Sequence, residues 1–196
     1  MASPLYPVGH STRTLEEFLE LLEREQIAFL ADVRRYPASR RHPHFSRESL
    51  AASLEASGIG YRHLEALGGR RKPSPDSLNL GWRNESFRAY ADYMRTSPFL
   101  EAVDTLLALP GPTAIVCAEA VPWRCHRNLI SDEIVRRGVE VLHILGPGSL
   151  SSHVLNPMAR DEGSHLAYPA PADPDADLQQ NLPLSQGTQG PGSSLG

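Results

Sequence analysis

Short apolar runs alternating with stretches of helical periodicity constrain this chain more than any other feature. Residues 5–8, 27–33, 59–64, 113–117 and 139–145 read as strands, and 27–33 is apolar nearly throughout, as a strand covered on both faces is. Between the runs lie segments with helical spacing and punctuation. Thr14 and Glu17 have capping-box spacing, with Leu15, Phe18, Leu19 and Leu22 at i, i+3, i+4 and i+7. Residues 46–57 stop at Gly58, a helix follows Asn84 to about Met94, another opens at Ser97-Pro98, and residues 125–137 end at Gly138. The expected fold class is α/β: a single three-layer domain with an open, mostly parallel sheet of about five strands. That domain is expected over residues 1–160, with one more short helix over 149–160 carrying His153. Residues 161–196 form a tail rich in Pro, Gly, Ser and Gln, the composition of a disordered segment.

The pattern also excludes functions. No run of about 18 apolar residues is present, so no membrane partner is expected. The N-terminal stretch lacks the basic start and apolar core of a secretory signal, which makes a cytoplasmic location the expectation. Two cysteines, Cys117 and Cys125, are too few to staple a chain of 196 residues. In a reducing compartment they remain thiols, available for chemistry.

Charge is unevenly distributed. Residues 33–72 carry nine Lys or Arg against three Glu, a net +6 inside a chain of net charge −4. A basic block in an acidic protein suggests an anionic partner: a small ligand such as a nucleotide or sugar phosphate, or nucleic acid. Of the 19 basic residues only Lys72 is lysine, so each arginine is individually less informative.

In parallel sheets ligands sit beyond the carboxyl ends of the strands, and Gly9-His10-Ser11, Asp32-Val33-Arg34, His63, Cys117-Ala118-Glu119 and His143 all fall at expected strand ends. Cys117, before a loop and a helix, is placed where a helix dipole stabilises a thiolate, though buried packing is an equal reading of the position alone. Cys125-His126-Arg127 at a helix start resembles an anion cradle, and the alternative is a solvated basic turn. His10 behind a glycine is a candidate acid or base, Glu119 another. Zinc on Cys117 and Cys125 with His10 or His126 is conceivable, but the spacing is not the short chelate of ordinary structural sites. The loop from Arg34 to Arg47, with Tyr36 and Phe45 among its arginines, reads either as a lid over a small anion or as a surface for single-stranded nucleic acid.

The ordered set Val8-Gly9-His10-Ser11, Asp32-Val33-Arg34, Pro37 with Ser39-Arg40, Phe45, Tyr61 with His63-Leu64, Leu67-Gly68-Gly69, Phe87 with Tyr90-Ala91, Cys117-Ala118-Glu119 and Cys125-His126-Arg127 is similar to the family catalogued as domain of unknown function 488. The resemblance covers roughly residues 5–146. It implies a compact cytoplasmic α/β protein, some of whose relatives are associated with nucleotide or nucleic-acid processing.

Together these observations point to an enzyme, expected to be a cysteine-dependent hydrolase or transferase, that binds an anionic nucleotide-like or phosphate-bearing substrate. The expected catalytic residues are Cys117 as nucleophile, with His10 and Glu119 exchanging protons. The expected substrate-binding residues are Ser11, Arg34, Arg40, His63, Gly68, Gly69, Cys125, His126 and Arg127. The reading requires no cofactor and no metal, and sets no oligomeric state. Its rivals are a non-catalytic nucleic-acid-binding module using the 34–47 loop, and a thiol redox or sulfur-transfer protein in which Cys117 and Cys125 pair.

Overall fold

The computed structural model describes residues 3–38 and 40–171. β1 (Leu5–Gly9) leads through α1 (Leu15–Arg24) to β2 (Phe29–Asp32), and α2 (Arg47–Ala56) connects to β3 (Gly60–His63). Two consecutive helices, α3 (Glu85–Tyr93) and α4 (Ser97–Leu107), precede β4 (Thr113–Cys117). Then α5 (Arg127–Arg136) precedes β5 (Leu142–Gly146), β6 (Ser149–Ser152) and a short pair, β7 (Arg160–Asp161) and β8 (Leu166–Ala167). The main sheet runs β3-β2-β4-β1-β5-β6, parallel except for β6, which pairs antiparallel with β5. The protein is therefore a three-layer α/β domain with a mixed, mostly parallel sheet.

Local sequence explains the elements. Both arms of the Thr14–Glu17 capping box form at the start of α1, and such a cap contributes about 1 kcal/mol. Side chains alternate across the sheet with period two. Val8, Leu30, Ala114 and Val116 belong to a core with Phe18, Leu22, Leu50 and Leu54 of α1 and α2. Leu5, Ala31, Val33, Ile115 and Cys117 belong to a second core with Tyr90, Phe99, Val103 and Leu129 of α3, α4 and α5. Each fully buried Leu or Phe in these cores contributes roughly 1.5–3 kcal/mol.

Three expectations change. Residues 149–160 hold strand β6 instead of a helix, because Pro147 and Gly148, the latter at φ +64°, turn the chain straight back onto β5. Helix α5 starts at Arg127, leaving Cys125 extended before it (φ −136°, ψ 147°). Residues 161–168, assigned to the tail, pack on the domain: Leu166 and Tyr168 are fully buried, and the Tyr168 hydroxyl donates to Asp132 Oδ2 at 2.8 Å. That partner lies 36 residues away, so no local pattern announces it. The disorder expected of the tail concerns, from residue 172 on, a stretch outside the described residues. No described helix is long and apolar enough to cross a membrane.

Candidate active site

Beyond the carboxyl ends of β2 and β4, the loops there and α3 enclose a cavity of about 410 Å³. Its wall includes both thiols, Arg34, Gly69, Glu119 and His126 from the expected set. Arg35, Arg70 and Arg124 line it too, with Tyr36, Phe87 and Tyr90 as aromatic surface.

The two cysteines meet although eight positions separate them. Cys117 ends β4 on the sheet face that packs against α3, α4 and α5. The chain then makes a single 3-10 turn over Pro122–Arg124, and Cys125 follows it in extended conformation just before His126 caps α5. Nε2 of His126 contacts the Val33 carbonyl at 2.9 Å. A carbonyl only accepts, so this nitrogen carries a proton; Nδ1 offers a lone pair in the neutral ring and donates to a sulfur only in the doubly protonated ring. Nδ1 is 3.6 Å from Cys125 Sγ and 3.9 Å from Cys117 Sγ. Gly69 makes room for the ring: a Cβ there would lie 3.0 Å from Nδ1.

Charge on this cluster is asymmetric. Arg127, buried, donates through Nε to Cys125 Sγ at 3.4 Å and through a terminal nitrogen to the Glu119 carbonyl. The Cys125 thiol is held well below its ordinary range, first by the hydrogen bond from Cys117 and then by His126 and Arg127. Cys117 is pushed up, because its proton is shared toward Cys125 and because it is buried. The geometry agrees with this division: the Arg127 guanidinium sits against Cys125, and the N-terminus of α5 adds positive potential. Of the two sulfurs, Cys125 is the one that its neighbours favour as the anion.

The remaining candidates are placed as follows. Arg34 reaches the cavity but is committed to Asp32, with Nε at 2.8 Å from Oδ1 and a terminal nitrogen at 2.5 Å from Oδ2, and to the Phe45 carbonyl at 2.8 Å. Asp32 also accepts the Tyr61 hydroxyl at 2.9 Å. His10 does not line the cavity. It follows Val8 by two positions and so lies on the α1–α2 side, its ring stacked on Phe45 at 4.3 Å and its Nε2 3.4 Å from Arg34. Burial and the Arg34 charge lower its pKa to about 4, so it is neutral at pH 7 and a weak base.

His63 donates through Nε2 to the Arg34 carbonyl at 2.8 Å and holds the exit of β2. Ser11 continues the β1–β4 ladder, its N–H donating to the Ala118 carbonyl at 3.0 Å. Gly68 packs where a Cβ would lie 2.7 Å from the Arg35 Cα. Arg40 is exposed and off the cavity wall, and Arg127 lies beneath the wall. His143 is the second residue of β5, not at its carboxyl end, and joins a separate buried chain through His153 (3.0 Å) to Asp132 (2.8 Å from His153).

Arg35, Arg70 and Phe87 were not singled out as site residues from the sequence. The arginine-rich composition hid the first two, whereas Phe87 and Tyr90, three apart on α3, carried a readable one-face spacing.

The sequence model of one protein family, described as Domain of unknown function DUF488, matches residues 14–134. No curated protein and no solved structure matches.

Proposed function

The chain belongs to the DUF488 family, a membership that brings no activity with it, and from its site we propose that the protein is an enzyme acting on a small anionic substrate, nucleotide-like or phosphate-bearing. One observation carries the reading: two thiols and an imidazole converge in a cavity that is also lined by Arg35, Arg70 and Arg124. Those guanidinium groups would hold the anion, and Phe87 and Tyr90 would flank an attached ring.

Cys125 serves as the nucleophile, as a thiolate held by Arg127 and by the Cys117 thiol and, when the ring carries both protons, by His126 Nδ1. Its sulfur bonds to the electrophilic centre, the bond to the leaving group breaks, and the proton held by Cys117 passes to the leaving group. Water then releases the product in a hydrolase, or a second acceptor does so in a transferase. Two nearby thiols stay reduced in the cytoplasm, which is where this chemistry belongs.

Alkylation kinetics against pH test the assignment. Cys125 should react fast near neutral pH, and Cys125→Ser should abolish the fast phase while Cys117→Ser keeps a slower one. Each guanidinium contact to an anion contributes about 1.5–3 kcal/mol. Arg70→Ala or Arg124→Ala should therefore weaken a phosphate ligand found by thermal shift by roughly 10–100-fold. Slow labelling of both thiols, with no anion stabilising the protein, would refute the reading.

One observation favours a second reading, a nucleic-acid-binding module. Arg40 and Arg41 are exposed on the loop before α2 and Arg47 at the start of that helix, with Tyr36 65% exposed nearby in the chain. Oligonucleotide binding with a steep salt slope, unchanged in Cys125→Ser, would select it.

A further inference from the structure

We propose that Cys117, Cys125 and His126 form a binding site for a soft divalent cation, best matched by Zn²⁺, with three protein ligands and a fourth position open to the cavity. Their donor atoms all lie within 4.8 Å of one another. With Zn–S near 2.3 Å and Zn–N near 2.0–2.1 Å, tetrahedral angles place a sulfur and a nitrogen about 3.6 Å apart. The observed separations from Nδ1 are 3.6 Å to Cys125 and 3.9 Å to Cys117. The Cys125 separation matches that value and the Cys117 separation exceeds it by about 0.3 Å.

Three features beyond distance point the same way. Two thiolates and an imidazole form a donor set that suits zinc and excludes magnesium and calcium, which take oxygen. A ligating histidine usually donates its other ring N–H to a carboxylate or a backbone carbonyl, and His126 Nε2 does so to Val33. Finally, two thiolates cancel the charge of a dication, so Arg35, Arg70 and Arg124 keep their excess positive charge. An anion drawn in by them meets the open coordination position, the arrangement of catalytic zinc rather than of a closed structural site.

Chain spacing conceals such a site, because its ligands come from the end of β4 and from the turn before α5, not from one local chelate. The cluster is the one on which the enzymatic reading rests. A bound ion occupies the sulfur lone pairs, so attack by a free thiolate belongs to the metal-free protein.

The test uses the full chain, reduced and stripped with a chelator, then titrated with ZnCl₂ against a chromophoric competitor. One equivalent should bind, and Cys125→Ser and His126→Gln should each weaken it by more than the roughly 10–100-fold that losing an outer contact costs. Co²⁺ added to the unaltered protein should give a thiolate-to-metal charge-transfer band and strong tetrahedral bands, a readout that needs no variant. Absence of Zn²⁺ binding, binding unaffected in both variants, or a cobalt spectrum without the thiolate band overturns the site. Alkylation and phosphate binding of the metal-free protein are measured separately, so failure of the enzymatic reading leaves this result standing, and the reverse.

Discussion

Gly9→Ala tests how the fold and the cluster depend on each other. A Cβ at Gly9 would lie 2.0 Å from the Glu119 carbonyl oxygen, 2.9 Å from its carbon and 3.0 Å from the Ala120 Cα. Carbon and carbonyl oxygen settle near 3.3–3.6 Å, so the backbone at 119–120 must withdraw by over about 1 Å. No side-chain rotation relieves contacts that are backbone on the far side. Overpacking of this kind costs about 1–3 kcal/mol. The displaced carbonyl is the acceptor for Arg127, and losing a hydrogen bond from a charged group adds about 1.5–3 kcal/mol. A loss near 3–5 kcal/mol is expected, a large part of the roughly 5–15 kcal/mol that holds a domain folded. Urea denaturation followed by circular dichroism measures it, with Gly146→Ala as control, since no atom lies within 4 Å of a Cβ there. The control should change stability by about 0.5 kcal/mol or less. Because Arg127 also contacts Cys125, alkylation of Cys125 at neutral pH should slow in Gly9→Ala. A loss under about 1 kcal/mol, with alkylation unchanged, would refute the reasoning.

Two further outcomes follow from buried polar groups. His10 and His143 are each lowered to about 4, chiefly by burial. With folded values below the ordinary 6.5, the unfolded chain binds more protons, so this stability is complete above pH 6.5 and is lost as pH falls toward 4. The loss is roughly 3 kcal/mol for each group by pH 4. Stability curves of the parent and of His10→Gln should therefore converge as pH falls through that window, and a constant gap between them would contradict it. Tyr168→Ala should lose about 3–5 kcal/mol, measured by the same denaturation assay. A loss below about 1 kcal/mol would mean that residues 161–168 do not belong to the domain.

Strands β1, β2 and β4 were legible because each is a short apolar run bounded by glycine, proline or a polar residue, and α1 because its cap and its stripe agree. Local pattern is silent where long-range pairing decides: β6 exists because β5 offers an edge, and Tyr168 is held by Asp132 and Asn79 from elsewhere in the chain. At the site, strand ends mark a rim but not a face. Val8 and His10 share the α1–α2 side, Ile115 and Cys117 the other, so a histidine and a thiol at adjacent strand ends are parted by the pleat. Period two was available in the sequence, and applying it to His10 would have separated the two. His126, by contrast, reaches the sulfurs through a turn whose path no period describes.

The arginines divide by the same logic of what is already satisfied. Arg34 lies against Asp32, and Arg127 against Cys125 and the Glu119 carbonyl. Both are buried, and removing a buried guanidinium from its acceptor for the sake of a ligand strands a charge at about 3–5 kcal/mol. Arg70 and Arg124 are exposed, and Arg35 holds only a half-exposed contact to Glu65 at 3.3 Å, the kind of pair that contributes about 0–1 kcal/mol. An incoming anion displaces little from these three. On the proposed function, recognition of the anion would fall to Arg35, Arg70 and Arg124, while Arg34 is tied to the end of β2 and Arg127 contacts Cys125.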